Sequence, residues 1–137
     1  TSSWGLQKVP EVLKEKPDLV LLAFGMNDRI PSEKYAENTR QTIAAIHAGT
    51  PHTDIVLVSS MSDNPLVFAP GRLEAHLAVL RTLEGPNVLV ADVTTPWGKL
   101  VELKAFADIS GNHFNHPNDF GHRLYAEVIG TLFPLDD

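Results

Sequence analysis

The stretch Pro17-Asp18-Leu19-Val20-Leu21-Leu22-Ala23-Phe24-Gly25-Met26-Asn27-Asp28 decides the fold. Residues 19–24 are apolar at every position rather than alternately. A strand covered on both faces reads that way, and such strands belong to parallel sheets. Gly25-Met26-Asn27-Asp28 then sits at the carboxyl end of that strand. Ligands bind at such ends in open α/β sheets. Glycine allows close backbone approach. An Asn amide offers two N–H donors that can hold a developing oxyanion. On its own the tetrapeptide reads more readily as a turn, because Gly, Asn and Asp all favour turns.

Working outward, two more buried strands are predicted at 54–59 and 87–92. Helices are predicted between and around them. The first covers 6–15, with Val9, Val12 and Leu13 as its apolar stripe and Pro10 in its first turn, where a missing N–H is tolerated. The second covers 33–48, with Ser32 as N-cap and Ala36, Ile43 and Ile46 facing inward. A third covers 71–83, with Leu73, Leu77 and Leu80 on one side, and a short one covers 97–106. The last covers 119–132, capped by Asn118, with Phe120, Leu124, Val128 and Ile129 apolar. Alternating helix and strand is the mark of an α/β domain with a parallel sheet.

Right-handed crossovers would set the three strands side by side in order, with the connecting helices on one face. Only the last helix is left for the other face, and one helix hardly covers it. The strand at 19–24 would also be a bare apolar sheet edge, which natural proteins avoid. The expectation is that part of the sheet lies outside these residues.

Composition narrows the function. The 137 residues suit one domain, read as 1–137 and incomplete at its N-terminus. Apolar residues make up 43% and charged residues 20%, an ordinary globular balance that argues against disorder. Eleven basic against seventeen acidic residues give a net charge of −6, opposite in sign to a generalised nucleic-acid binder. No apolar run approaches the ~20 residues of a membrane span. Cysteine is absent, which excludes disulfides, thiolate zinc sites and a Cys nucleophile.

A second chemical cluster is Gly111-Asn112-His113-Phe114-Asn115-His116-Pro117-Asn118-Asp119-Phe120-Gly121-His122. Three histidines stand in ten positions, just before a helix. Histidine is the commonest general base. A histidine-bearing surface loop is the plainer alternative. A metal site on His113, His116 and His122 is another, weakened because Pro117 breaks any shared helical face.

Taken together, Gly25-Met26-Asn27-Asp28 and His116-Pro117-Asn118-Asp119 resemble the GDSL/SGNH hydrolase family of serine esterases and lipases. Pro17-Asp18-Leu19-Val20 and Ala91-Asp92-Val93-Thr94-Thr95-Pro96-Trp97 are similar to that family too, so the likeness runs from Trp4 to Glu127. The resemblance implies a flavodoxin-like three-layer α/β/α fold with strand order 2-1-3-4-5. The missing part would then be the first two strands, the helix between them, and the Gly-Asp-Ser nucleophile block. This chain would be the C-terminal two thirds.

The resemblance also implies roles. Asn27 would donate its side-chain amide to the oxyanion. Gly25 would open the strand end for that loop, with Asp28 as support. His116 would move the proton between serine and leaving alcohol. No metal or organic cofactor is implied. The substrate would be an acetylated carbohydrate or a small acyl ester, with neither nucleic acid nor membrane as partner. An N-terminal segment or a second chain would complete the sheet.

Two features depart from the family pattern. The place three residues before the catalytic His usually holds Asp but here holds His113, which supplies no carboxylate. A Ser–His dyad, or another acid such as Asp119 or Asp108, would have to serve. No Gly-Asp-Ser exists in the chain, so none of its serines is assigned as nucleophile. Ser59, Ser60 and Ser62 follow the wrong strand, and Gly5 is a weak stand-in for the family's second oxyanion donor. The alternative to an esterase is therefore a catalytically inactive binding or structural module that pairs with another chain. Trp4 and Trp97 read as packing before pocket lining. Arg29 reads as a solvated loop charge, His122 as a packing residue, and His47, His52 and His76 as surface or helix-side residues.

Overall fold

In the computed structural model, which describes residues 1–133, three parallel strands form one sheet in the order β1 (Leu19–Leu22), β2 (Asp54–Val58), β3 (Val88–Ala91). The register runs Leu21 to Val56 to Leu89 across the sheet. Among the described residues, six α-helices surround it: α1 (Ser2–Val12), α2 (Ser32–Gly49), α3 (Arg72–Arg81), α4 (Thr94–Leu103), α5 (Phe106–Ile109) and α6 (Asp119–Gly130). Among the described residues, no helix is long and apolar enough to cross a membrane.

Strand alternation sorts the core into layers. Ile55, Leu57, Val88, Val20 and Leu22 face α1, α2 and α3, where they meet Val9, Tyr35, Ile46 and Leu80. Val56, Val58 and Ala91 face the opposite way, onto Tyr125, Val128 and Ile129 of α6. A third cluster, built on Met61, Trp97, Phe106 and Ile109, joins α4 and α5 to the end of the sheet. The connecting helices thus occupy one face and the last helix the other, as the crossover argument requires.

The strand at 19–24 differs from its predicted two-sided burial. Leu19 is 41% exposed and Leu21 48%. Among the described residues, their face of the sheet is covered by α6 and the turn after it, which pack on β2 and β3. Leu89, on the far side of Val56, stands open for the same reason at 48%. The strand also ends two residues early. The Phe24 carbonyl accepts the Tyr35 and Ser60 hydroxyls instead of continuing the ladder.

Three of the predicted helices need correction. The first helix begins at Ser2, not at 6, because the Asp28 carboxylate accepts the Ser2 N–H from across the chain (2.8 Å) and caps the helix. Pro10 therefore lies in the helix interior, close to where α1 tightens into a 3-10 turn over Leu13–Glu15. Ser32 is not a cap. Pro31 holds that position, and its carbonyl accepts the Lys34 and Tyr35 amides. The short helix predicted at 97–106 is two helices, α4 and α5, and Asp92 Oδ1 accepts the Thr95 amide at the start of α4 (2.9 Å). Asn118 does cap α6, accepting the Gly121 amide at 3.1 Å.

Candidate active site

The 25–28 loop leaves the carboxyl end of β1 through Gly25, whose φ of 118° belongs to glycine. A Cβ there would lie 3.4 Å from both Ser60 Oγ and Tyr35 Oη and 3.7 Å from His76 Nδ1. Asp28 is buried. Its carboxylate accepts the Ser2 N–H, the Ser2 hydroxyl (2.6 Å) and the Gly25 N–H (3.1 Å), while Ser2 accepts from Asn38. Asp28 thus ties the loop to the first turn of α1. Asn27 is exposed, and its side-chain amide makes no hydrogen bond among the described residues.

The loop is braced from its other side by Arg72 at the start of α3. Its guanidinium donates to the carbonyls of Gly25 (2.8 Å), Met26 (3.1 Å) and Asp28 (3.1 Å), and to Asp63 Oδ2. Sequence reading missed Arg72. Its only visible signal was a charged residue just after Pro70-Gly71, which looks like any solvated helix start.

His116 lies in the 111–117 loop. Three successive amides, of Phe114, Asn115 and His116, donate to Asn112 Oδ1, which wraps the loop round one side-chain oxygen. The His116 carbonyl accepts Gly111 N–H and Ser110 Oγ–H. Its imidazole is exposed and makes no hydrogen bond among the described residues. Asn64 docks the neighbouring 60–69 loop here, donating to the His113 carbonyl (2.7 Å) through its side chain and to the Phe114 carbonyl (3.0 Å) through its amide.

His116 and Met26 line one cleft of about 240 Å³, together with Met61, His122 and Tyr125. The two loops singled out from the sequence therefore meet at one end of the sheet. The other candidates are not joined to His116 by any side-chain hydrogen bond among the described residues. His113 is exposed, with a left-handed φ of 59°. Asp119 is exposed in the first turn of α6, and Asp108 contributes its carbonyl to Asn118. His122 shares the cleft wall. Among the described residues no three His, Asp or Glu side chains are grouped to hold a metal.

The remaining candidates are mostly structural. Ser59 is buried and accepts the Val93 and Thr94 amides. Gly5 has its N–H committed to the Thr1 carbonyl and packs its Cα against Phe24. Trp97 is fully buried, whereas Trp4 is 55% exposed with Lys8 over its ring. His76, read as helix-side, is instead buried and stacked on Tyr35. Burial lowers its pKa from the ordinary 6.5, against an opposing bond to the Ile30 carbonyl. Tyr35 is raised, first by burial and then by the Asp28 carboxylate, so it stays a donor to Phe24.

A parallel sheet with helices on both faces, and a Gly-x-Asn-Asp loop and a histidine loop at one end of it, fits the SGNH-like fold among α/β proteins. The chain belongs to the GDSL-like Lipase/Acylhydrolase family, whose model matches residues 1–124. Several solved structures are similar, three of which follow. A carbohydrate esterase family 3 protein from Talaromyces cellulolyticus superposes with a TM-score of 0.72 at 17% identity over 93% of this chain and 65% of that one. The lipase/acylhydrolase from Enterococcus faecalis gives 0.69 at 22% identity, over 96% and 69%. The salicylyl-acyltransferase SsfX3 from a tetracycline biosynthetic pathway gives 0.61 at 18% identity, over 98% and 44%. These likenesses carry the fold. The chain spans 65% of the length of the esterase. No curated protein sequence matches it.

Proposed function

We propose that this chain supplies the histidine and an oxyanion donor of a serine ester hydrolase acting on a carbohydrate acetyl ester or a small acyl ester. The observation that carries the reading is the cleft that brings His116 together with Met26, the chain neighbour of Asn27. The nucleophilic serine would come from a segment outside Thr1–Asp137, completing the sheet along the open edge of β1. The carbohydrate esterase likeness favours the carbohydrate ester.

In this mechanism His116 takes the serine proton as the serine oxygen attacks the ester carbonyl. The Asn27 amide donates to the oxyanion that forms. Protonated His116 gives its proton to the leaving alcohol. Water then attacks the acyl-serine, again through His116, and releases the acid. With His113 where the family has Asp, the serine and His116 work as a dyad. The fixed loop round Asn112, rather than a carboxylate, sets the position of the imidazole.

Intact mass of the full-length protein, with and without a serine-reactive fluorophosphonate, tests this. One adduct is expected, and His116→Ala should lower ester turnover by roughly 10⁶-fold. His113→Ala should cost much less. Near-normal turnover in His116→Ala sinks the assignment. A protein that takes no adduct and hydrolyses no ester would instead be the inactive pairing module.

A further inference from the structure

Three carbonyls of one four-residue loop, those of Gly25, Met26 and Asp28, turn toward the same point. Carbonyl dipoles that converge repel one another, and a cation at their focus relieves that repulsion. The Arg72 guanidinium is that cation. Its planar fork reaches all three oxygens and still donates to Asp63. The Asp63 side chain is only 8% exposed, and its second oxygen has no hydrogen-bond partner, with Arg29 at 3.9 Å. That carboxylate therefore has one strong commitment, which is to hold the guanidinium.

We propose that Arg72, held by Asp63, is a positioning residue for Asn27: it fixes the main chain on which the oxyanion donor is carried. The proposal rests on the esterase reading above, since Arg72 touches neither substrate nor reacting atoms. The Asp28 carboxylate joins the Gly25 amide to Ser2 at the start of α1, while Arg72 grips the loop's carbonyls from α3. Asn27, exposed and without partners of its own, has its placement set by these two braces. Lysine cannot replace arginine here, because one ammonium offers a point charge and not a fork.

The test uses the full-length protein and two independent readouts. In Arg72→Lys, kcat should fall roughly 10²-fold, the scale of a 1 Å misplacement, with KM changed by less than about twofold. Amide hydrogen exchange across residues 25–28 should speed up in the same variant, a readout that needs no turnover. Asp63→Asn should move both in the same direction by less, and decides the matter if Arg72→Lys folds poorly. Guanidinium ion added to Arg72→Gly should restore part of kcat, which lost folding alone would not allow. Arg81→Met, at the far end of α3, removes a pair with Asp92 between β3 and α4 and should leave kcat unchanged.

Unchanged kcat, or unchanged exchange at 25–28, in both Arg72→Lys and Asp63→Asn overturns the proposal. Loss of kcat that only tracks the folded fraction, with no guanidinium rescue, overturns it too. If exchange responds to Arg72→Lys while His116→Ala keeps its turnover, the brace stands and the esterase reading falls.

Discussion

His76 lies under the 25–28 loop, stacked on Tyr35 with ring centroids 4.3 Å apart, and its Nδ1 has no partner. Burial is the main reason its pKa lies below the ordinary value, with Arg72 adding to the effect and Asp28 opposing it. The unfolded chain therefore takes up this proton more readily than the folded one. The resulting stability is complete above about pH 6.5 and is lost as pH falls from there through the lowered folded value. His76→Phe keeps a ring to stack and removes the proton site. Its thermal midpoint should fall less than that of the wild type between pH 7 and pH 5, as followed by circular dichroism. Parallel curves for the two proteins would show that His76 does not contribute to the acid sensitivity.

Among the elements, α6 shows how closely a helix is fitted to its neighbours. At Gly121 an added Cβ would stand 2.6 Å from Pro117 Cβ and 2.9 Å from the fully buried Trp97 ring. Gly121→Ala gains about 1 kcal/mol of helix propensity but overpacks a site that cannot yield, at a cost of about 1–3 kcal/mol. A thermal midpoint lower by roughly 5 °C is expected from calorimetry. An increase would mean that Trp97 moves aside. The elements themselves were legible from apolar spacing: Leu73, Leu77 and Leu80 are buried as their spacing required, and Asn118 caps the helix it precedes. What could not be read was long-range. The start of α1 is set by Asp28, twenty-six residues away, and the brace of the 25–28 loop by Arg72, more than forty away. Local propensity carries no trace of such partners. For the same reason Gly25 and His116 stood out as types in a pattern, whereas Arg72 and His76 passed for solvated helix residues.

At the scale of the whole molecule, the open flank dominates. Trp4, Leu21 and Phe24 line a groove between α1 and the unpaired edge of β1, with a volume of about 440 Å³. An apolar edge strand with unpaired backbone groups is a template for another strand. Residues 1–137 expressed by themselves should self-associate through it, giving concentration-dependent sedimentation that Leu21→Lys reduces. A monodisperse monomer at high concentration would show that the flank is not sticky. Both braces of the 25–28 loop reach helices packed on the same face of the sheet: Ser2 of α1 holds the Asp28 carboxylate, and Arg72 of α3 holds main-chain carbonyls. Neither asks anything of the side chain at position 26, although Met26 is the one loop residue lining the cleft beside His116. Selection can therefore alter what the cleft admits at that position while leaving the scaffold of the chemistry in place, and one framework can drift among substrates without being rebuilt.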